Sequence, residues 1–268
     1  MTSRAAGHGA ADQGALQVKA LTRTLVALEE GPARAGAAAR ALAALPAEAA
    51  VRVVAALARS GQAGARAAMA AVGQALVGPD AALLYDHLAE VYAVAAAQDL
   101  LEVSSLLVSP PAKRAWVPPR DHAASPLANV TLGHKKTMAR THRDPDLLAR
   151  LATEGDPSVV RELLRNPLVT EPFAVRIAAR RPMRPETLRL LAESRRWRTR
   201  PAVMLALVRN PYAEPAVALK LLATLPAAEL AEVGRDATVH PLLRATAARL
   251  ARAKSGRARG HGRGGTVG

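Results

Sequence analysis

Eight prolines recur through the second half of this 268-residue chain, at positions 145, 157, 172, 185, 201, 215, 226 and 241. Each is followed by a short apolar run, among them PDLLARLA, PSVVRELLR, PFAVRIAAR and PETLRLLAE. Proline fixes φ near the helical value and carries no N–H. It therefore suits the first turn of a helix and stops the helix before it. Asp144, Asp156, Thr170 and Thr199 stand just before four of these starts, where a side-chain oxygen can cap free N–H groups. The spacing predicts helices of roughly nine or ten residues, about 15 Å long, joined by tight turns. Helices this short do not persist alone and must bury their apolar stripes on one another. The expected fold class is all-α, with an α-solenoid of short stacked helices in this half.

A longer echo overlies the prolines. PSVVRELLRNP at 157–167 aligns without a gap with PAVMLALVRNP at 201–211, 44 residues on, and EPFAVRIAA at 171–179 pairs with EPAVALKLLA at 214–223. Pro241 opens a weaker third copy. The unit can be counted as three helices or as overlapping pairs. On these residues the chain resembles HEAT/armadillo-like repeats, and most of all the leucine-rich-repeat-variant units of bacteria, over about 130–253. The resemblance implies a right-handed stack of short helices with a binding or scaffolding role. Some variant-repeat proteins carry an iron–sulfur cluster on cysteines. This chain has no cysteine, so no cluster is carried over.

Composition places the rest. Half the residues are apolar, much of that alanine, the strongest helix former, and only 2% are aromatic. Residues 14–108 read as an alanine-rich helical region. In PAEAAVRVVAALARSG the apolar Val51, Val54 and Leu57 fall on one helical face. Residues 1–13 are small, polar and aperiodic, and are expected to be disordered. Residues 109–127 hold five prolines and read as a linker, with Trp116 docking it onto a helical region. A repeat domain over 128–253 and a disordered Arg/Gly tail over 254–268 complete the expected organisation. The absence of cysteine excludes disulfides, thiolate metal sites and cysteine nucleophiles. No apolar leader or spanning segment is seen, so a cytoplasmic location without membrane contact is expected.

The charge is lopsided. Residues 1–110 hold 8 Lys+Arg against 9 Asp+Glu, whereas residues 111–268 hold 29 against 13. Such asymmetry points to an anionic partner. Arg165, Arg180, Arg195 and Arg209 fall at expected helix ends, where a cation meets the carbonyl pole of the macrodipole. Arg181, Arg184, Arg196, Arg198 and Arg200 fall in turns that need no such charge, with Trp197 among them. Together with Lys135 and Lys136 of LGHKKTMARTHR they form the candidate surface for an anionic partner. Trp197 could stack on a base, but packing over the seam between the helices at 185–193 and 201–209 is the favoured reading. Asn166 and Asn210 share one repeat position and read as helix stops that bond their own backbone.

No catalytic motif stands out. LGHKKTMARTHR lacks the glycine spacing of a phosphate loop, and His134 and His142 have no third ligand nearby. No cofactor or metal is expected. The leading expectation is a non-enzymatic scaffold for a protein partner. A nucleic-acid-binding repeat protein is the alternative, and a HEAT-like alkylpurine DNA glycosylase the third.

Overall fold

The computed structural model describes residues 3–76, 85–118 and 127–261, with side chains described for 15–76, 85–118 and 127–256. Among the described residues the chain is all-helical and contains no strand. The first half forms α1 (Ser3–Ala27), α2 (Pro32–Ala43), α3 (Ala47–Ala58), α4 (Ala63–Ala75), α5 (Tyr85–Ala97), the short α6 (Leu101–Ser104) and a 3₁₀ turn (Ser105–Leu107). The second half forms α7 (Leu132–Thr141), α8 (Pro145–Glu154), α9 (Pro157–Arg165), α10 (Glu171–Ala179) and α11 (Pro185–Glu193). It continues with α12 (Pro201–Val208), α13 (Pro215–Leu222), α14 (Ala227–Arg235) and α15 (Pro241–His261).

The helices divide between two compact units. One unit takes residues 1–109, 219–236 and 241–268, and the other takes residues 110–218 and 237–240. In the first, α3 packs against α1, α4, α5 and α6. Val51 and Leu57 are fully buried on it, with Val54 close behind. Ala38, Ala39, Ala58 and Ala68 are also fully buried, and small side chains let helices approach closely. The helices α14 and α15 approach closely, and a Cβ on Gly234 would stand 3.3 Å from the backbone of Ala248. A larger residue there would need the Ala248 backbone to shift by a few tenths of an ångström.

In the second unit α7 packs on α9, α9 on α11, and α10 on α12. Six of the eight recurring prolines open their helices as expected, at positions 145, 157, 185, 201, 215 and 241. Pro172 stands one residue inside α10, and Pro226 is the residue before α14. The oxygen of Asp156 accepts from the N–H groups of Ser158 and Val159, and that of Asp144 from Asp146 N–H. Thr131 caps α7 in the same way through His134 N–H. Thr170 precedes α10 without a side-chain cap bond, and Arg200, not Thr199, occupies the capping position of α12. Gly155 ends α8 in the left-handed region at φ 66°, with the Met183 sulfur 3.1 Å from where a Cβ would be.

Helix extends into both terminal segments among the described residues. Residues 3–13 belong to α1, because the alanines at 5, 6, 10 and 11 continue the helix through the glycines that suggested disorder. The expected tail begins at residue 254, within α15. The helix α15 runs on to His261, and Lys254 is only 5% exposed. Its ammonium donates to Ala223 O at 2.9 Å and Leu225 O at 2.8 Å, tying α15 to the carbonyl end of α13. Residues 262–268 of that tail and residues 119–126 of the linker lie outside the described residues. Residues 109–118 are non-helical, in keeping with their prolines.

Candidate functional site

The turns of the second unit are built around helix-end carbonyls, and polar side chains from other helices reach them. Asn166 is 2% exposed and donates through Nδ2 to Ala139 O and His142 O, both at 3.0 Å. Its Oδ1 accepts from Leu168 N–H. Asn210, 44 residues on and 3% exposed, repeats the device. Its Nδ2 donates to Ala178 O and Arg180 O, and its Oδ1 accepts from Tyr212 N–H. The helix-stop bond expected of each asparagine is present. The clamp on the helix two places earlier is an addition that one residue type in one sequence does not disclose. Thr187 does similar work, donating to Gly155 O at 2.8 Å.

Most of the basic candidates are engaged in the same way. Arg196 donates to Asn166 O at 3.0 Å, Pro167 O at 3.3 Å and Val169 O at 2.6 Å, closing the turn between α9 and α10. Its guanidinium also lies 4.4 Å from the ring centre of Trp197. Trp197 is 2% exposed, so it packs inside the turn and offers no face for a base. Arg181 donates to Arg209 O at 2.6 Å. Arg200 stands 3.8 Å from Glu171, and Lys135 pairs with Glu154. Arg198 is half-buried in the same turn as Trp197, and Lys136 is half-exposed on α7.

Arg184 stacks 4.7 Å above Trp116 and contributes its charge at Asp156. Burial alone would raise the Asp156 carboxyl. The Ser158 hydroxyl, the N–H groups of Ser158 and Val159 and the Arg184 charge outweigh it and hold Asp156 below the ordinary carboxylate value. These eight residues stand on separate elements. Arg181 and Arg184 precede α11 and Arg196 to Arg200 follow it, so about 13 Å of helix separates the groups, while the two lysines sit on α7.

The stretch 110–118 lies along the inter-helix turns. Lys113 Nζ donates to Ala237 O and Thr238 O at 2.8 Å and to Val239 O at 3.2 Å. Arg114 N–H donates to Pro211 O at 3.0 Å, and Trp116 lies under Arg184. The segment therefore meets the turns in reverse chain order, at 237–239, then 211, then 184. His240, beside Lys113, is held below its ordinary pKa by burial and then by the lysine charge.

A different place in this unit is open. The helices α8 and α10 touch only lightly, because α8 turns Ala149, Ala152 and Thr153 toward its neighbour. Small side chains leave a groove of about 210 Å³. Its other wall is one face of α10 and its end, Phe173, Arg176, Ile177 and Arg180, at i, i+3, i+4 and i+7. Phe173, the one phenylalanine of the chain, is 8% exposed on the floor, with the Arg176 guanidinium 5.2 Å from its ring centre. Arg176 and Arg180 are exposed at the rim, and neither side chain meets a carboxylate among the described residues. Sequence reasoning assigned Arg180 to the helix dipole and passed over Arg176. The signal was the i, i+3, i+4, i+7 spacing around a lone phenylalanine.

Among the described residues, no group of three or more metal-ligating side chains lies together, and no helix is long and apolar enough to cross a membrane. No protein-family model, curated protein or solved structure matches the chain.

Proposed function

We propose that the chain is a non-enzymatic helical-repeat scaffold, its second half built of HEAT/armadillo-like units of the leucine-rich-repeat-variant kind, and that it binds a protein partner through the groove between α8 and α10. The observation that carries this reading is the pair of uncompensated guanidiniums, Arg176 and Arg180, over an apolar floor. An open apolar slot with a few polar groups at its rim is the usual form of a binding site. The lining offers no carboxylate, imidazole or thiol to act as base or nucleophile, and the Thr153 hydroxyl donates to Arg150 O at 2.6 Å. Binding without chemistry is what these groups support. The cysteine-free composition supports a cytoplasmic setting.

The nucleic-acid reading draws less support. The tryptophan meant to stack on a base is buried, and Arg181, Arg196 and Lys135 are committed to carbonyls or a carboxylate of their own chain.

A photo-crosslinking residue at Ala152 tests the proposal. It is expected to give a discrete protein adduct in cells producing the chain, and the same residue at Arg161, exposed on α9, is expected to give none. Equal labelling from both positions, or no adduct from Ala152, overturns it.

A further inference from the structure

We infer that the groove between α8 and α10 receives an acidic peptide segment that inserts one bulky apolar side chain between flanking carboxylates. This rests on the scaffold reading and narrows the partner to a chemical class. The groove, at about 210 Å³, falls below the roughly 300–1,000 Å³ of sites that enclose small-molecule ligands. It suits a single side chain. Ala149, Ala152 and Ile177 offer that side chain only apolar contact, and Phe173 adds the edge of a mostly covered ring.

The rim selects charge. Arg176 and Arg180 stand four residues apart on one face, their Cβ atoms about 6 Å from one another. That spacing lets each guanidinium take its own carboxylate through a forked pair of N–H bonds. Arg176 is held over Phe173, so part of its ordering precedes binding. No acidic residue lines the groove to compete with an incoming carboxylate.

A nucleic acid fits the same surface less well. Its affinity comes from many phosphate contacts and from bases stacked on open aromatic faces. Here two rim arginines serve one slot, and the aromatic ring is buried to 8% exposure beneath one of them.

Fluorescence anisotropy with the full chain tests the inference. The probes are a labelled peptide with two glutamates on each side of a leucine, the same peptide with alanine at the centre, a lysine-flanked counterpart, and a labelled oligothymidylate. The glutamate–leucine peptide is expected to bind, and the alanine version about tenfold or more weaker, as one leucine side chain leaves an apolar site. Arg176→Gln and Arg180→Gln are each expected to weaken binding by about tenfold, the effect of one charged hydrogen-bonded pair. Ala152→Phe fills the slot with the rim charges intact and is expected to abolish binding. Both arginines are exposed, so their variants keep the test alive if Ala152→Phe does not fold.

The inference is overturned if the glutamine variants bind like the parent chain. It is also overturned if the leucine and alanine peptides bind alike, or if the oligothymidylate binds as tightly as the peptide. Failure of every peptide, with the Ala152 crosslink still capturing a protein, would sink this inference and leave the scaffold reading standing.

Discussion

Asn210 holds two carbonyls that belong to another helix, and altering its side chain removes those bonds in distinguishable ways. Asn210→Ala leaves the buried Ala178 O and the half-buried Arg180 O without this donor, a cost of about 2 kcal/mol in chemical denaturation. Asn210→Asp keeps the shape but points a carboxylate at two oxygens. It is expected to be less stable than the alanine variant at neutral pH, and the gap should close as acid returns a proton to the carboxyl. Lys254 carries the complementary case. Burial, and then the charge of Arg66, lower its pKa from 10.5 to about 8. Between those values the unfolded chain binds more protons than the native one, so stability rises with pH across the window, by up to about 3 kcal/mol. The neutral amine still has two hydrogens for Ala223 O and Leu225 O. Urea midpoints are expected to rise from pH 7.5 to pH 10 relative to Lys254→Met, which has nothing to titrate there.

At the scale of elements, the short helices and the segment 110–118 depend on one another within their unit. Lys113→Met removes three carbonyl contacts, and Trp116→Ala removes the ring under Arg184. The double variant is expected to become sensitive to limited proteolysis between Pro111 and Pro118, with the helical signal unchanged. A protease-resistant double variant would mean that other contacts hold the segment.

How far these elements could be read beforehand follows from the range of the forces. Proline at a first turn and an aspartate cap act over three or four residues, so Pro145, Pro157 and Asp156 announced their helices plainly. The apolar face of α3 was legible for the same reason. The fates of Arg196 and Lys254 were not. Each bonds carbonyls some thirty residues away in the chain, and nothing local distinguishes a guanidinium bound for a carbonyl from one left in water. The groove was illegible in kind. It exists because α8 presents alanines where a larger side chain would have closed the gap, and an absence of bulk has no motif.

The whole molecule carries a formal charge of +15, all of it from the second half, and Arg181, Arg196 and Lys135 there are held by backbone carbonyls or a carboxylate of their own chain. Binding of a generic polyanion is accordingly expected to be weaker than the charge suggests. Chain connectivity has a sharper consequence. The unit that begins at residue 1 also needs 219–236 and 241–268, which supply the buried Leu222, Leu225, Leu230 and Leu250. A fragment ending at 109 is expected to bind a hydrophobic dye strongly, and addition of a 219–268 fragment should suppress the signal. A dye-silent, cooperatively melting 1–109 fragment would contradict this division.

The same connectivity sets an order of events on the ribosome. The unit with the earlier start is the later to finish, because its final helix, α15, follows the whole of the other unit along the chain. The 109 residues made first, rich in alanine, valine and leucine, lack these later helices while the intervening unit is synthesised. The face of α6 that α15 covers is therefore open to other molecules until α15 has been made.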